Sequence, residues 1–341
     1  MQNSFNVKFW GVRGSHPAPG AGTVHFGGNT ACVEIQAAGK TIVIDAGTGI
    51  IPLGRELGRR AALVGAPVNV TLLLSHLHHD HTQGLPFFNP LHSAATNLLL
   101  VGPDFYPAGL EAEISHVMHS PAFPMEWNGV RAEKSIREIH TGQVFILGDE
   151  GRYLIAHPSD KQVIEAFYAQ EADEPVVIRT FHSHTHPNGV MCYRVEWKGH
   201  AVVYASDVEG GPDVNWRLAN FARGADLLIY DAQYTEPHYL GLAPGLPATK
   251  GWGHSTIAMA ADFARAANVK QLALFHHEPV YEDWTIAQNE LDAQKRFSNT
   301  VAAYEGLDVT LVEGVEENPA VVYTAPFIQR TPVFVHRQPE K

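Results

Sequence analysis

Directly behind the apolar run Val68–Leu74 the chain reads Ser75-His76-Leu77-His78-His79-Asp80-His81. Neutral imidazole nitrogens and carboxylate oxygens are the donors that zinc, manganese and iron take. On an extended loop, alternate residues share a direction, so His76 and His78 can serve one ion. If the chain then turns into a helix, Asp80 and His81 can aim at a second ion beside it, with His79 directed away. A merely polar loop would not concentrate these residue types so densely. Twenty histidines in 341 residues, many paired or spaced by one, carry the pattern further, at His182, His184 and His186 and again at His276-His277. His92, His116, His119, His140, His157 and His238 stand apart and read singly as surface or hydrogen-bonded residues.

Elements must exist to place these groups. Phe5–Val12, Ala31–Gln36 and Lys40–Asp45 alternate β-branched and aromatic residues between Gly-rich turns and are expected to open the fold as a small antiparallel sheet. Ile51–Arg60 has helical spacing, and Val68–Leu74 is the continuous apolar run of a strand covered on both faces. The β pattern returns at Val190–Trp197, His200–Ala205 and Asp226–Tyr230, and each of the last two delivers an aspartate, Asp207 or Asp231, at its C-terminal end. Ser255–Ala267 is expected to be a helix capped by Ser255 or a neighbour, Lys270–Phe275 a strand ending on His276, and Ala287–Tyr304 a helix before a last strand at Asp308–Val312. Two β-rich halves with helices outside predict an α/β fold, a layered αββα sandwich. Residues 103–175 are irregular, with helical stretches at Leu110–Met118 and Asp160–Gln170 around an aromatic, proline-rich turn, and read as an insertion or lid.

His76, His78, Asp80 and His81 match the His-x-His-x-Asp-His signature, and on it the chain resembles the metallo-β-lactamase superfamily over most of its length outside 103–175. The resemblance implies two mixed β-sheets with outer helices in one domain over 1–341, and a binuclear centre. In it His186, within Thr185-His186-Pro187-Asn188-Gly189, is the third ligand of the first ion, with His182 and His184 as rivals. Asp207 is the carboxylate shared by both ions, with Asp231 as rival. His276 is the last ligand of the second ion, with His277 as rival. Asp45 is expected behind the ligands. Two divalent ions are implied, zinc on superfamily likeness, with manganese and iron open to the same donors; neither Cys32 nor Cys192 occupies a motif position. Gly251-Trp252-Gly253-His254-Ser255-Thr256 is similar to the His-Ser-Thr element of the phosphodiesterase branch, which includes ribonuclease Z and the phosphoribosyl cyclic phosphodiesterases. Gly11-Val12-Arg13-Gly14-Ser15 and Gly27-Gly28-Asn29-Thr30 are similar to small bacterial members of that branch. By this likeness Asp80 orients the nucleophile, a hydroxide held between the ions, and His254 assists the departing oxygen.

Composition bounds the substrate. Lys plus Arg is 24 and Asp plus Glu 36, for a formal charge of −12, and no basic run exceeds Arg59-Arg60. Such a surface repels phosphate backbones, which argues against a polynucleotide partner. The stretch 103–175 is acidic too, at Glu111, Glu113, Glu165, Glu171, Asp173 and Glu174, unlike the basic arm of ribonuclease Z. The expectation is a hydrolase of a small cyclic nucleotide or other cyclic phosphate. A metallo acyl hydrolase (lactonase or thioesterase), tRNA 3' processing, and a binding module with a damaged metal site are the alternatives. Phe87, Phe88 and the Phe123–Trp127 turn could wall a base or ribose, and core packing explains Phe87 and Phe88 equally well. Two cysteines suit a reducing compartment, the cytoplasm, and neither an export signal nor a membrane span is read. The oligomeric state is left open by the sequence, a homodimer being common in the branch.

Overall fold

The computed structural model describes residues 5–211, 215–311 and 322–323. One eight-stranded sheet contains β1 (Phe5–Gly11), β2 (Cys32–Ala37), β3 (Lys40–Ile44), β4 (Val68–Leu73), β5 (Thr96–Pro103) and β6 (Glu133–Ile139). The second contains β7 (Val144–Leu147), β8 (Tyr153–Ala156), β9 (Val176–Ser183), β10 (Val190–Trp197), β11 (His200–Ala205), β12 (Leu227–Asp231), β13 (Gln271–Phe275) and β14 (Thr300–Ala302). The chain returns to the first sheet with β15 (Asp308–Leu311) and β16 (Val322–Tyr323). The strand orders are β16-β15-β1-β2-β3-β4-β5-β6 and β14-β13-β12-β11-β10-β9-β7-β8. Helices α1 (Ile50–Val64), α2 (His79–Thr82), α3 (Leu110–Val117), α4 (Lys161–Tyr168), α5 (Trp216–Ala222), α6 (Glu236–Tyr239), α7 (Ile257–Ala266) and α8 (Asp283–Gln294) complete the described elements.

Three apolar clusters show the layering. Phe5, Val7, Phe9, Ile42, Ile44, Tyr193, Tyr204, Ile229 and Phe275 meet between the sheets. α1 closes a second cluster over Val43, Leu72 and Leu74 through Ile50, Leu53 and Leu57. α5, α7 and α8 close a third over Val203, Leu228 and Leu272, with Ala260, Ala261 and Ala264 of α7 small enough for close approach to β12 and β13. β1 alternates buried and half-buried positions because only one face meets the inner core, whereas β12 and β13 are buried throughout because core lies on both sides. Each fully enclosed side chain of Phe275 size contributes about 2–3 kcal/mol.

Strands β3 to β6 run parallel to one another, as do β11 to β14. Ligands collect in such sheets at the carboxyl ends of the strands, which is where the aspartates and histidines of the sequence fall. Most expected elements appear within a residue or two of their expected ends. The helix expected over Ala287–Tyr304 is instead α8, ending at Gln294, followed by β14: Thr300-Val301 is β-branched and finds an open partner edge on β13. Val312 of the last expected strand lies outside the described residues. The stretch 103–175 supplies β6 at an edge of the first sheet and β7 and β8 at an edge of the second, with α3 and α4 outside them. Among the described residues no helix is long and apolar enough to cross a membrane.

Candidate metal centre

Two groups of donors carry the expected ligands and share one carboxylate; a third group, Asp207, Asp231, His254 and His276, overlaps the second through Asp207 and His276. His76, His78, His186 and Asp207 form the first, Asp80, His81, Asp207 and His276 the second, and within each group the donor atoms lie within 4.8 Å of one another. In the first, His186 Nε2 and His78 Nδ1 approach to 2.9 Å, and Asp207 Oδ2 is 3.6 Å from His76 Nε2 and 3.7 Å from His186 Nε2. In the second, His81 Nε2 and His276 Nε2 are 3.2 Å apart, Asp80 Oδ2 lies 3.0 Å from His276 Nε2, and Asp207 Oδ1 reaches His81 at 3.2 Å and His276 at 3.3 Å.

Each group arrives at the end of a strand. β4 delivers His76, and the chain turns into α2 at Asp80-His81; β11 delivers Asp207, β12 Asp231 and β13 His276. Asp45 (φ 65°), Asp207 (57°) and His276 (62°) all adopt left-handed backbone, a conformation that costs a non-glycine residue on the order of 1–3 kcal/mol and gathers at functional sites. Glycine supplies close approach at two points. A Cβ on Gly14 would lie 2.3 Å from His276 Nδ1, and one on Gly253 (φ 94°) would lie 2.3 Å from His186 Nδ1.

The hydrogen bonds behind the rings fix their tautomers. The Asp45 carboxylate accepts from His81 Nδ1 at 2.7 Å, from Ser75 N at 2.7 Å and Ser75 Oγ at 2.8 Å, and from Tyr204 Oη at 2.7 Å. Ser75 Oγ, its proton given to Asp45, accepts from His76 Nδ1 at 3.1 Å. Gln233 gives its Nε2 hydrogens to Glu278 and Ser15, so its Oε1 accepts from His276 Nδ1 at 3.0 Å. The Gly253 carbonyl accepts from His186 Nδ1 at 3.2 Å. With Nδ1 donating behind it, each of these four rings turns Nε2 inward, a bare lone pair whenever the ring is neutral; at His81 burial favours that form, but Asp207, Asp80 and Asp45 override it and hold the ring's pKa well up. His76 Nε2 is buried and has no hydrogen-bond partner. A buried lone pair without a donor is costly, and lone pairs and carboxylates converging this way fit divalent cations, with the second layer of acceptors usual behind histidine ligands.

Electrostatics differ across the site. Burial pushes the His76 ring well down and His186 down to about 4, favouring the neutral form a ligand needs. Burial alone would raise Asp80 and Asp207, but the surrounding imidazoles outweigh it and hold both carboxyls well below their ordinary range. Burial would lower His254, yet Asp231 overrides it and holds the ring up at about 9, accepting from His254 Nδ1 at 2.7 Å. His254 stacks on His276 with centroids 4.9 Å apart and lines an open cleft of about 420 Å³ together with Ser15, Leu77, His78, His79, Asp80 and Asp207.

The rivals separate cleanly. His182 stacks on Phe105 at 4.4 Å and His184 is exposed, so His186 alone of the three enters a donor group with His76 and His78. His277 hydrogen-bonds the Ala303 carbonyl at 2.9 Å, and burial pushes its ring down to about 3. Asp207 joins both groups, while Asp231 stands behind His254 and also receives the amides of Ser255, at 2.9 Å, and Asp207, at 3.1 Å. His79 belongs to neither group and sits exposed at the cleft rim. Of the expected aromatic wall, Phe88 and Trp127 are core, whereas Phe87 is exposed and pairs edge-to-face with Phe123. Sequence reasoning missed the positioning roles of Asp231, Gln233, Tyr204 and the Ser15 amide, which donates to Asp80 Oδ2 at 2.7 Å. Only the placing of Asp231 and Gln233 at the end of an apolar strand hinted at two of them.

Two sheets with converging strand ends and a shared-aspartate cluster of histidines define a metal-binding hydrolase of the metallo-β-lactamase fold. The chain belongs to the family described as the beta-lactamase superfamily domain, whose model matches residues 40–277. It is similar to the ribonuclease Z of Picrophilus torridus, at 25% identity over 334 residues, covering 93% of this chain and 99% of that one. Among solved structures it resembles the metallo-beta-lactamase fold protein YhfI from Bacillus subtilis, with a TM-score of 0.60, 18% identity, and coverage of 90% of this chain and 99% of that one. It also resembles the human short-form tRNase Z, with a TM-score of 0.54, 20% identity, and coverage of 89% and 98%.

Proposed function

We propose that this protein is a binuclear metal-dependent phosphodiesterase whose substrate is an RNA 3' end. The observation that carries the chemistry is Asp207 joining two histidine-carboxylate groups on the floor of an open cleft, with the His254–Asp231 pair on its wall. His76, His78, His186 and Asp207 would hold one cation, and Asp80, His81, Asp207 and His276 the other. Bound divalent cations lower the pKa of water towards ~7 and offset charge on a phosphoryl group. The chain's own residues do the rest. Asp80, pinned by the Ser15 amide, accepts a hydrogen bond from the attacking oxygen and so aims it. His254 carries a proton on the cleft side, and Asp231 fixes its ring so that the proton faces the departing alkoxide. The RNA reading is supported by relatives named ribonuclease Z that align over nearly the whole chain.

A second reading, a small cyclic phosphodiester, is favoured by charge. The formal charge is −12, and no Lys or Arg is among the described residues lining the cleft. The deciding experiment incubates the zinc- or manganese-loaded protein with a tRNA precursor bearing a 3' trailer, with cyclic mononucleotides and dinucleotides, and with bis(p-nitrophenyl) phosphate, each with and without chelator. Cleavage of the trailer at low salt is the expected result. Turnover of cyclic nucleotides alone would move the substrate to the second reading, and hydrolysis of lactones or thioesters without any phosphodiester would overturn both.

A further inference from the structure

Glu209 lies two residues past Asp207 and outside both donor groups, yet its carboxylate accepts three hydrogen bonds beside them. Oε1 accepts from the Gly251 amide at 2.7 Å and from Tyr239 Oη at 2.7 Å, and Oε2 accepts from the Gly253 amide at 2.8 Å. Its own amide donates to Thr185 Oγ1 at 3.0 Å, beside His186. Gly251 (φ 88°) and Gly253 (φ 94°) both hold left-handed backbone, which turns their two amides toward one carboxylate from either side of the exposed Trp252. The Gly253 carbonyl is the acceptor that orients His186, and the next residue is His254. One half-buried carboxylate therefore gathers the end of β11, the His186 loop and the Gly251–His254 loop. Ionised acceptors on amide donors are among the stronger hydrogen bonds, roughly twice a neutral pair.

We infer that Glu209 is a positioning residue for the reaction: it clamps the 251–254 loop so that the Gly253 carbonyl holds His186 in its ligating tautomer and His254 faces the cleft. The inference rests on the phosphodiesterase reading of the site, but its test does not require turnover. The experiment compares full-length wild type with Glu209→Gln, which keeps the shape and replaces one acceptor with a donor facing the amides, and with Tyr239→Phe, which removes only the phenol bond. Hydrogen exchange of the peptide covering 249–256, followed by mass spectrometry, reads the loop. Titration with Co²⁺, followed by its visible absorption, reads the geometry and affinity of the His186 group. For Glu209→Gln the expected results are exchange about tenfold faster in that peptide, a shifted cobalt spectrum, and an affinity ~10–100-fold weaker, the range typical when a partner behind a ligand is removed. Tyr239→Phe should stay within about twofold on both readouts. A lowered Tm with unaltered cobalt spectrum and loop exchange would overturn the clamp and leave Glu209 a stability residue only. If Glu209→Gln does not fold, Glu209→Asp takes its place: too short to reach both amides, it should show intermediate exchange, and wild-type behaviour on both readouts would again overturn the proposal. Failure of wild type to hydrolyse any phosphodiester would reject the function reading while the exchange and cobalt results still decide the clamp.

Discussion

The two sheets each bring an aspartate to a strand end and set it against a histidine, yet the two pairs do different things. In the first sheet Asp45 accepts from His81 Nδ1 at 2.7 Å and from the Ser75 amide; in the second Asp231 accepts from His254 Nδ1 at the same 2.7 Å and from the Ser255 amide. The local chemistry is nearly superposable. What separates them is what each ring faces. His81 is fully enclosed and its Nε2 points among Asp80, Asp207 and His276, whereas His254 is 8% exposed and forms part of the cleft wall. The same aspartate-histidine pair thus sets one far nitrogen among converging donors and the other ring on the cleft wall, the division on which the proposed ligand and proton-carrier roles rest.

Substitutions test that division. His81→Ala should abolish phosphodiester hydrolysis, by about 10³-fold or more, since the cation's several kcal/mol of charge stabilisation is lost, and elemental analysis should show the loss of bound metal. If His254 is the proton carrier, His254→Ala should keep its metal and lose ~10²–10⁴-fold in kcat on substrates with a poor leaving alkoxide, with much less loss on bis(p-nitrophenyl) phosphate; an equal loss on both would remove it from the leaving group. The carboxylates behind the rings sharpen the contrast. Asp45→Asn should weaken metal affinity ~10–100-fold, whereas Asp231→Asn should lower kcat at saturating metal by a similar factor with affinity unchanged, as read by metal titration beside steady-state kinetics. At the small end, His184→Ala removes an exposed ring outside both donor groups, so metal content should not change and kcat/KM should stay within about twofold.

Legibility in the sequence followed range along the chain. His76, His78, Asp80 and His81 could be read as a group because six consecutive residues carry them and strand-then-turn geometry is local. The sandwich was legible for the same reason: runs such as Val68–Leu73 and Gln271–Phe275 declare buried strands by composition. The strands β6 to β9 were not, because the stretch around them mixes charges with apolar residues and only pairing to a neighbour makes them strands. The partners behind the rings were least legible. Gln233 on His276, Tyr204 on Asp45 and Glu209 on Gly253 join residues 43, 159 and 44 positions apart, and glutamine, tyrosine or glutamate in a strand end or loop has many other uses.

What the sequence determined by itself was the stock of donors and the strands that would carry them, since both are written in residue type and short-range periodicity. Which of His182, His184 and His186 joins His76 and His78, whether Asp207 or Asp231 stands between the two donor groups, and which histidine lines the cleft were decided only when two sheets packed face to face. Those choices depend on which nitrogen finds an acceptor behind it and what faces its other side, and both are properties of neighbours brought together from distant parts of the chain.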